Sequence, residues 1–351
     1  MVHFKKIKTI SKGMASACCA IFVVVALSVG SSIVYFINTP TYSKQPTKFT
    51  VNSYDDSLSY QEVCWLTSHN SFAHPGSDLA IKMQFVHNQT LTISEQLEYG
   101  VKSFMIDLWY KNEDDKKEIV IAHAARIFSN RTPLFFEQSF LGFLKIIENW
   151  LNTHPEDIIT IHLESWVGNY EKIIEVIKTA KLYDYLFDLD QNKNWPTLGE
   201  MRKTKKRLVI FSDTGDDKGF GIMPLEERYM ETEYDLGKYE GCEMRTDHRA
   251  PIHNADLFVM NHFYGMPPMI NGIITKLIPP FVYEKTHVNN YEKMRERICK
   301  CRYEIGRWPN FIAVDFVSTG GQETKIVSDI NSHKIDCSKF IPNNKHLLDE
   351  L

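Results

Sequence analysis

Seven times along this chain a short apolar, β-rich run ends in a residue able to do acid–base or phosphate chemistry. The first four runs are VCWLTSHN (His69 and Asn70), VKSFMIDLW (Asp107), EIVIAHA (His123) and DIITIHLESW (Glu164). RLVIFSD (Asp213), ADLFVMNHF (Asn261 and His262) and PNFIAVDF (Asp315) follow. Continuous apolar runs of this kind suit strands buried on both faces, as in parallel sheets. Helical patterns separate most of them, so the alternation reads as βα units and an α/β chain of the closed (β/α) barrel kind. Such barrels carry their chemistry at the C-terminal ends of the strands. The recurring polar endings are therefore expected to converge on one mouth.

The 351 residues are enough for one such barrel, which takes about 250. A net charge of −4 with evenly spread Lys and Arg argues against a nucleic-acid partner, which needs a basic face. Residues 14–37 carry no charge over a length able to cross a roughly 30 Å hydrocarbon core. Lys5, Lys6, Lys8 and Lys12 precede that stretch, whereas only Lys44 and Lys48 follow closely. This bias predicts a cytoplasmic N-terminus and an exported remainder. An uncleaved signal anchor and a cleaved signal peptide with residues 17–29 as its apolar core both fit. The expected organisation is a basic flank (1–13), the apolar segment (14–37), a linker (38–59) rich in Pro, Thr, Ser, Tyr and Asn, and one barrel (60–345).

Helical stripes are expected over 136–154, stopped by Pro155, over 169–182 and over 289–303. Residues 214–255 are the least regular and read as long loops over the barrel mouth. Cys64 falls inside the first apolar run and reads as a small buried hydrophobe. Cys242, Cys299, Cys301 and Cys337 can form two disulfides in an oxidising compartment. Cys299 and Cys301 are too close to pair comfortably, so two connectivities stay open, each joining Cys242 and Cys337 to that doublet. Zinc ligand spacing is missing. Asn88-Gln-Thr90 and Asn130-Arg-Thr132 have the form of glycosylation acceptors.

His69 and His123 carry the sharpest chemical expectation. Cleaving a phosphodiester with an internal hydroxyl needs a base for that hydroxyl and an acid for the leaving oxygen. Imidazoles, which titrate near neutrality, suit both tasks. Asn70, Asp107 and Glu164 offer hard oxygens from three strand ends, able to hold Ca²⁺ or Mg²⁺ beside a phosphate. A polar network that only orients the histidines is the alternative. Asp315 can accept from an imidazole N–H and fix its tautomer, or serve as a buried structural acid. His74, His87, His154 and His162 attract no role. Arg245 and Arg249 read as solvated surface rather than phosphate ligands.

At these residues the sequence resembles the phosphatidylinositol-specific phospholipase C family and its catalytic X region. The resemblance runs through Leu66-Thr-Ser-His-Asn-Ser71, Gln96-Leu97, Gly100-Val-Lys-Ser-Phe-Met-Ile-Asp107 and His123. It continues through Ile147-Glu-Asn-Trp-Leu-Asn-Thr-His-Pro155 and Ile158-Ile-Thr-Ile-His-Leu-Glu164 to Pro309-Asn-Phe-Ile-Ala-Val-Asp-Phe316. It implies a distorted TIM (β/α) barrel of the PLC-like phosphodiesterase type, with His69 as general base, His123 as general acid, and Asn70, Asp107 and Glu164 at the metal-ligand positions of calcium-dependent members. Metal-free bacterial members have an Arg where this chain has Trp109, which favours a metal. Calcium enzymes have an acid where this chain has Met105, so one ligand is lacking. Met105 also lowers the expectation of a sphingomyelinase D-type or glycerophosphodiesterase activity. A phospholipid substrate at a membrane surface is the implied partner. GPI anchors, sphingolipids or lysophospholipids, or a silent head-group-binding barrel, are the alternatives.

Overall fold

The computed structural model describes residues 55–74, 87–112, 116–127, 130–189, 194–214, 221–239, 241–246, 255–264 and 288–340, with backbone alone from 123 to 137. The apolar stretch 14–37 and most of the linker lie outside these residues. Among the described residues no helix is long and apolar enough to cross a membrane.

Among the described residues ten strands form one sheet: β1 (Trp65–Ser68), β2 (Ser103–Tyr110), β3 (Ile119–Ile127), β4 (Asn130–Ser139), β5 (Ile159–Ser165), β6 (Leu208–Ser212), β7 (Ile222–Pro224), β8 (Tyr229–Glu231), β9 (Leu257–His262) and β10 (Phe311–Val314). Eight of them run in the order β7-β6-β5-β2-β1-β10-β9-β8. Every neighbour along that path is parallel. The sheet curls into an open barrel whose end strands, β7 and β8, have no described pairing with each other.

The side-chain alternation of strands sorts the residues into two layers. Trp65, Val209, Phe211, Leu257, Val259 and Phe311 fill the barrel interior with Tyr60, Trp195 and Tyr229. Leu66, Phe104, Ile106, Ile161, Ile210, Phe258 and Ile312 face the helices. Counting by twos from the interior residues brings His69, Asp107, Glu164, Asp213, Asn261 and Asp315 to the inner side at the strand ends. His262 has the opposite parity and belongs to the outer layer.

The helices are α1 (Ile93–Tyr99), α2 (Phe140–Thr153), α3 (Tyr170–Thr179), α4 (Leu198–Thr204), the single turn α5 (Leu225–Arg228), α6 (Tyr291–Ile305) and α7 (Glu323–Asn331). In α2 the stripe Phe140, Phe143, Leu144, Ile147 and Leu151 is buried as its spacing predicts, and the Ser139 side chain accepts from the Gly142 amide to cap the helix. Thr92 and Glu95 close a reciprocal capping box on α1. Gly100, at φ +113°, ends α1 in the left-handed region and turns the chain into β2.

Two expectations change here. The run EIVIAHA is not a barrel strand: β3 pairs antiparallel with β2 and with β4, forming a hairpin off the parallel path. The stretch 214–255 is not loop throughout, because β7 and β8 lie within it and pair parallel with β6 and β9. At three residues each they are too short to show a period.

Candidate active site

β1 lies between β10 and β2, with Ser68 opposite Val314 in the β10 register. One step further, the His69 amide donates to the Val314 carbonyl at 3.0 Å. This places the His69 side chain beside Asp315. His69 Nδ1 and Asp315 Oδ1 are 2.8 Å apart, with the acid fully buried and the His side chain 22% exposed. The Asn88 amide nitrogen donates to both Asp315 oxygens, at 2.9 and 3.1 Å. The Asn289 side chain donates to the Asp315 carbonyl at 2.6 Å. Phe263, at the end of β9, lies flat on the imidazole with centroids 3.7 Å apart and planes inclined by 4°.

The backbone is bent on both sides of this pair. Asn70 (φ +42°) and Phe316 (φ +53°) both occupy the left-handed region. Asn tolerates that conformation, whereas Phe pays roughly 1–2 kcal/mol for it. Hydrogen bonds hold both turns: the Ala73 amide donates to the Asn70 carbonyl at 2.9 Å, and the Phe316 amide to the Asn88 carbonyl at 2.6 Å.

A second polar group lies on the β2–β5–β6 side. Asp107 and Glu164 are register partners, and Asp213 accepts from the Ser165 amide at 2.8 Å. Burial pushes the Asp107 carboxyl well above the usual carboxylate range, and the charges of Glu164 and Asp213 add to that. Glu164 is exposed and accepts from the Trp166 indole at 3.1 Å. That indole stacks on Trp109, centroids 5.0 Å apart.

The metal expectation does not survive this geometry. Among the described residues no group of three His, Cys, Asp or Glu side chains is placed to hold a metal ion. Glu164 accepts from the Trp166 indole, and the Asn70 amide approaches Asn88 at 3.4 Å. Met105 contributes no oxygen. Asn70, Asp107 and Glu164 are thus not assembled as the ligand set of a Ca²⁺ or Mg²⁺ ion.

His123 lies midway along β3, its backbone paired with Phe135, and its side chain is outside the described residues. The structure therefore joins His69, Asp315 and Asn70 through Asn88 and sets Asp107 and Glu164 in a separate group. Sequence reasoning passed over Asn88, except as a glycosylation acceptor, and missed Asn289 and Phe263. A lone Asn in a loop has no periodic signal, and only strand pairing brings it to the site. Arg245 is not solvated: its side chain is 12% exposed, 3.7 Å from Glu231 and 4.1 Å over the Tyr234 ring. His162 is an interior residue bonded to Ser103 at 2.8 Å and Tyr229 at 3.2 Å. Of the two disulfide connectivities, the structure has Cys242–Cys301 and Cys299–Cys337. Cys64 is free and buried.

The family model described as PI-PLC X 1 matches residues 57–331. The chain belongs to the PI-PLC X family. A PI-PLC X domain-containing protein of Arabidopsis thaliana is 26% identical over 288 residues, covering 78% of this chain. This chain spans 63% of the Arabidopsis protein's length. A PI-PLC X domain-containing protein of Arthroderma benhamiae is 23% identical over 275 residues, covering 74% of this chain and 82% of its own. Among solved structures, the phosphatidylinositol-specific phospholipase C from Listeria monocytogenes superposes with a TM-score of 0.52 at 15% identity, covering 79% of this chain and 95% of that one. A mutant of the Staphylococcus aureus phosphatidylinositol-specific phospholipase C gives 0.52 at 16% identity, over 85% and 100%. At such identities these likenesses show the fold, an open parallel barrel of the PLC-like phosphodiesterase type.

Proposed function

We propose that this protein is a phosphoric diester hydrolase acting on phosphatidylinositol-type phospholipids, with His69 as its general base. The supporting observation is the His69–Asp315 pair at the inner C-terminal rim of the barrel. Asp315 engages Nδ1, so the hydrogen bond fixes the tautomer whose Nε2 is free to accept a proton. In the proposed reaction the inositol 2-hydroxyl gives its proton to Nε2 as its oxygen bonds to phosphorus. The bond from phosphorus to the diacylglycerol oxygen breaks, and His123, assigned from the sequence motif, protonates that oxygen. The products are diacylglycerol and a cyclic inositol phosphate. No metal takes part in this reading.

The two disulfides favour an oxidising compartment, in keeping with an exported barrel tethered or led by residues 14–37. The substrate is accordingly taken as a lipid presented at a membrane surface. The test is hydrolysis of phosphatidylinositol vesicles by wild type, His69→Ala and His123→Ala. Each substitution is expected to lower turnover by about 10²–10⁴-fold. Near wild-type turnover by His69→Ala defeats the assignment, and release of choline or ethanolamine without inositol phosphate defeats the substrate.

A further inference from the structure

Asn88 and Gln89 sit in the loop before α1, and together they join the ends of β1 and β10. The Gln89 side chain is fully buried. Its amide donates to the His69 carbonyl at 2.7 Å and to the Val314 carbonyl at 3.0 Å. Its oxygen accepts from the Val317 amide at 3.1 Å. The backbone amides of Asn88 and Gln89 both donate to the Ala73 carbonyl at 3.0 Å. The residues before and after both mouth turns are thus tied to one dipeptide.

The Asn88 carboxamide completes the arrangement. Its nitrogen reaches both carboxylate oxygens of Asp315 and comes within 3.5 Å of His69 Nδ1, while its oxygen lies 3.4 Å from the Asn70 amide. Only the nitrogen edge of the carboxamide suits two carboxylate oxygens, so its orientation is chemically determined. The Asp315 carboxylate is buried, and a buried anion needs such donors. Held at both oxygens, it has little freedom to rotate away from the imidazole. The same nitrogen is the atom that a sugar would occupy if Asn88-Gln89-Thr90 served as a glycosylation acceptor.

The geometry points to Asn88 as a positioning residue for the general base: it fixes the Asp315 carboxylate, and through it the His69 tautomer, and its amide nitrogen cannot carry a glycan while doing so. This inference rests on the proposed role of His69, but its structural half is measurable without any turnover.

The experiment uses the full chain, purified in detergent, as wild type, Asn88→Ala, Asp315→Asn and the double variant. With phosphatidylinositol in mixed micelles, Asn88→Ala is expected to lower kcat by about 10–100-fold while KM stays within about twofold. In the Asp315→Asn background the same substitution is expected to change kcat by less than about threefold, because Asn88 acts through Asp315. In ¹⁵N-histidine spectra, the His69 imidazole is expected as a single Nδ1–H tautomer in wild type and as a tautomer mixture in Asn88→Ala. Asn88→Leu, nearly the same shape without a donor or acceptor, is the second variant if Asn88→Ala does not fold, and it is expected to show the same loss and mixing.

Unchanged kcat in a folded Asn88 variant, additive losses in the double variant, or an undisturbed Nδ1–H signal would overturn the inference. So would a glycan on Asn88 in protein that keeps that signal. If wild type cleaves no phosphatidylinositol, the proposed function fails, and the tautomer spectra still decide the positioning role.

Discussion

The two sides of the barrel mouth are built on opposite electrostatic plans. On the β1–β10 side, the buried carboxylate of Asp315 faces an imidazole and the carboxamide of Asn88. On the β2–β5–β6 side, burial pushes the Asp107 carboxyl well above the usual carboxylate range, and the charges of Glu164 and Asp213 add to that. Both sides place acids at inner strand ends, so parity alone does not tell them apart. What differs is the partner. A buried carboxyl given donors is held in place and can orient a base, whereas burial beside other acids raises a carboxyl's pKa.

The contrast breaks most visibly through Asp315. Asp315→Ala removes the acceptor at Nδ1 and is expected to reduce phosphatidylinositol turnover by about 10²–10⁴-fold, comparable with loss of His69 itself. Asp107→Asn, which replaces a carboxyl already biased to neutrality, is expected to cost far less. Turnover measured on the two variants side by side tests the asymmetry, and equal losses would mean that both sides carry the chemistry.

The legible part of this molecule was whatever repeats with a period. Six of the seven apolar runs lie on the parallel path, and the α2 stripe is buried at the residues its spacing marks. His69 and Asp315 could be marked in the sequence because a strand end is a definable place. EIVIAHA was read as a barrel strand because an apolar run looks alike in parallel and antiparallel pairing. β7 and β8 were invisible at three residues each. Asn88 had no local signal, since its partner Asp315 is 227 residues away. The metal expectation failed for a related reason: sequence shows which oxygens reach the strand ends, but not which way each side chain turns or what already bonds it.

The disulfides sharpen the comparison through stability. Cys242–Cys301 links the segment after β8 to α6, and Cys299–Cys337 links α6 to the segment after α7. Neither touches the β2–β5–β6 side. The sequence separations of 59 and 38 correspond to about 4 kcal/mol each by loop-closure entropy, less any strain. Replacing both Cys242 and Cys301 with Ser is expected to lower the denaturation midpoint by an amount matching about 2–4 kcal/mol. Hydrogen exchange is expected to rise around β8, β9 and α6 first, with β2 and β5 following only at global unfolding.

His262 gives a smaller, pH-dependent contrast with His69, its near neighbour in the sheet. It is buried in the outer layer, with Nε2 3.3 Å from the Val288 carbonyl. Burial pushes its pKa down to about 3, and the charges of Arg297 and Lys293 act in the same direction. Between the ordinary histidine value and that depressed one, the unfolded chain binds a proton that the folded chain refuses. The stability contribution is therefore complete above about pH 7 and is lost as pH falls, by at most about 1.4 kcal/mol per pH unit. Chemical denaturation at pH 5 and pH 7 is expected to show this slope in wild type and a flatter one in His262→Gln. An identical slope in both would place the acid sensitivity elsewhere.

The smallest expected effect falls on the acidic side. Ca²⁺ takes six to eight oxygens at charged, convergent ligands. Here Glu164 accepts from the Trp166 indole, Asn70 faces Asn88 and Met105 contributes no oxygen. A cation entering this group would have to rotate Glu164 off the Trp166 indole before gaining two carboxylates. Exhaustive chelation with EDTA is accordingly expected to change phosphatidylinositol turnover by no more than about twofold, and added Ca²⁺ or Mg²⁺ to do no more. Trp166 supplies an internal check, because its indole bonds to Glu164 and its fluorescence will report any rotation of that carboxylate. A rate lost in EDTA and restored by Ca²⁺, with a matching Trp166 signal absent from Glu164→Gln, would show the acidic side rearranging into a metal site and would erase the distinction between the two halves of the mouth.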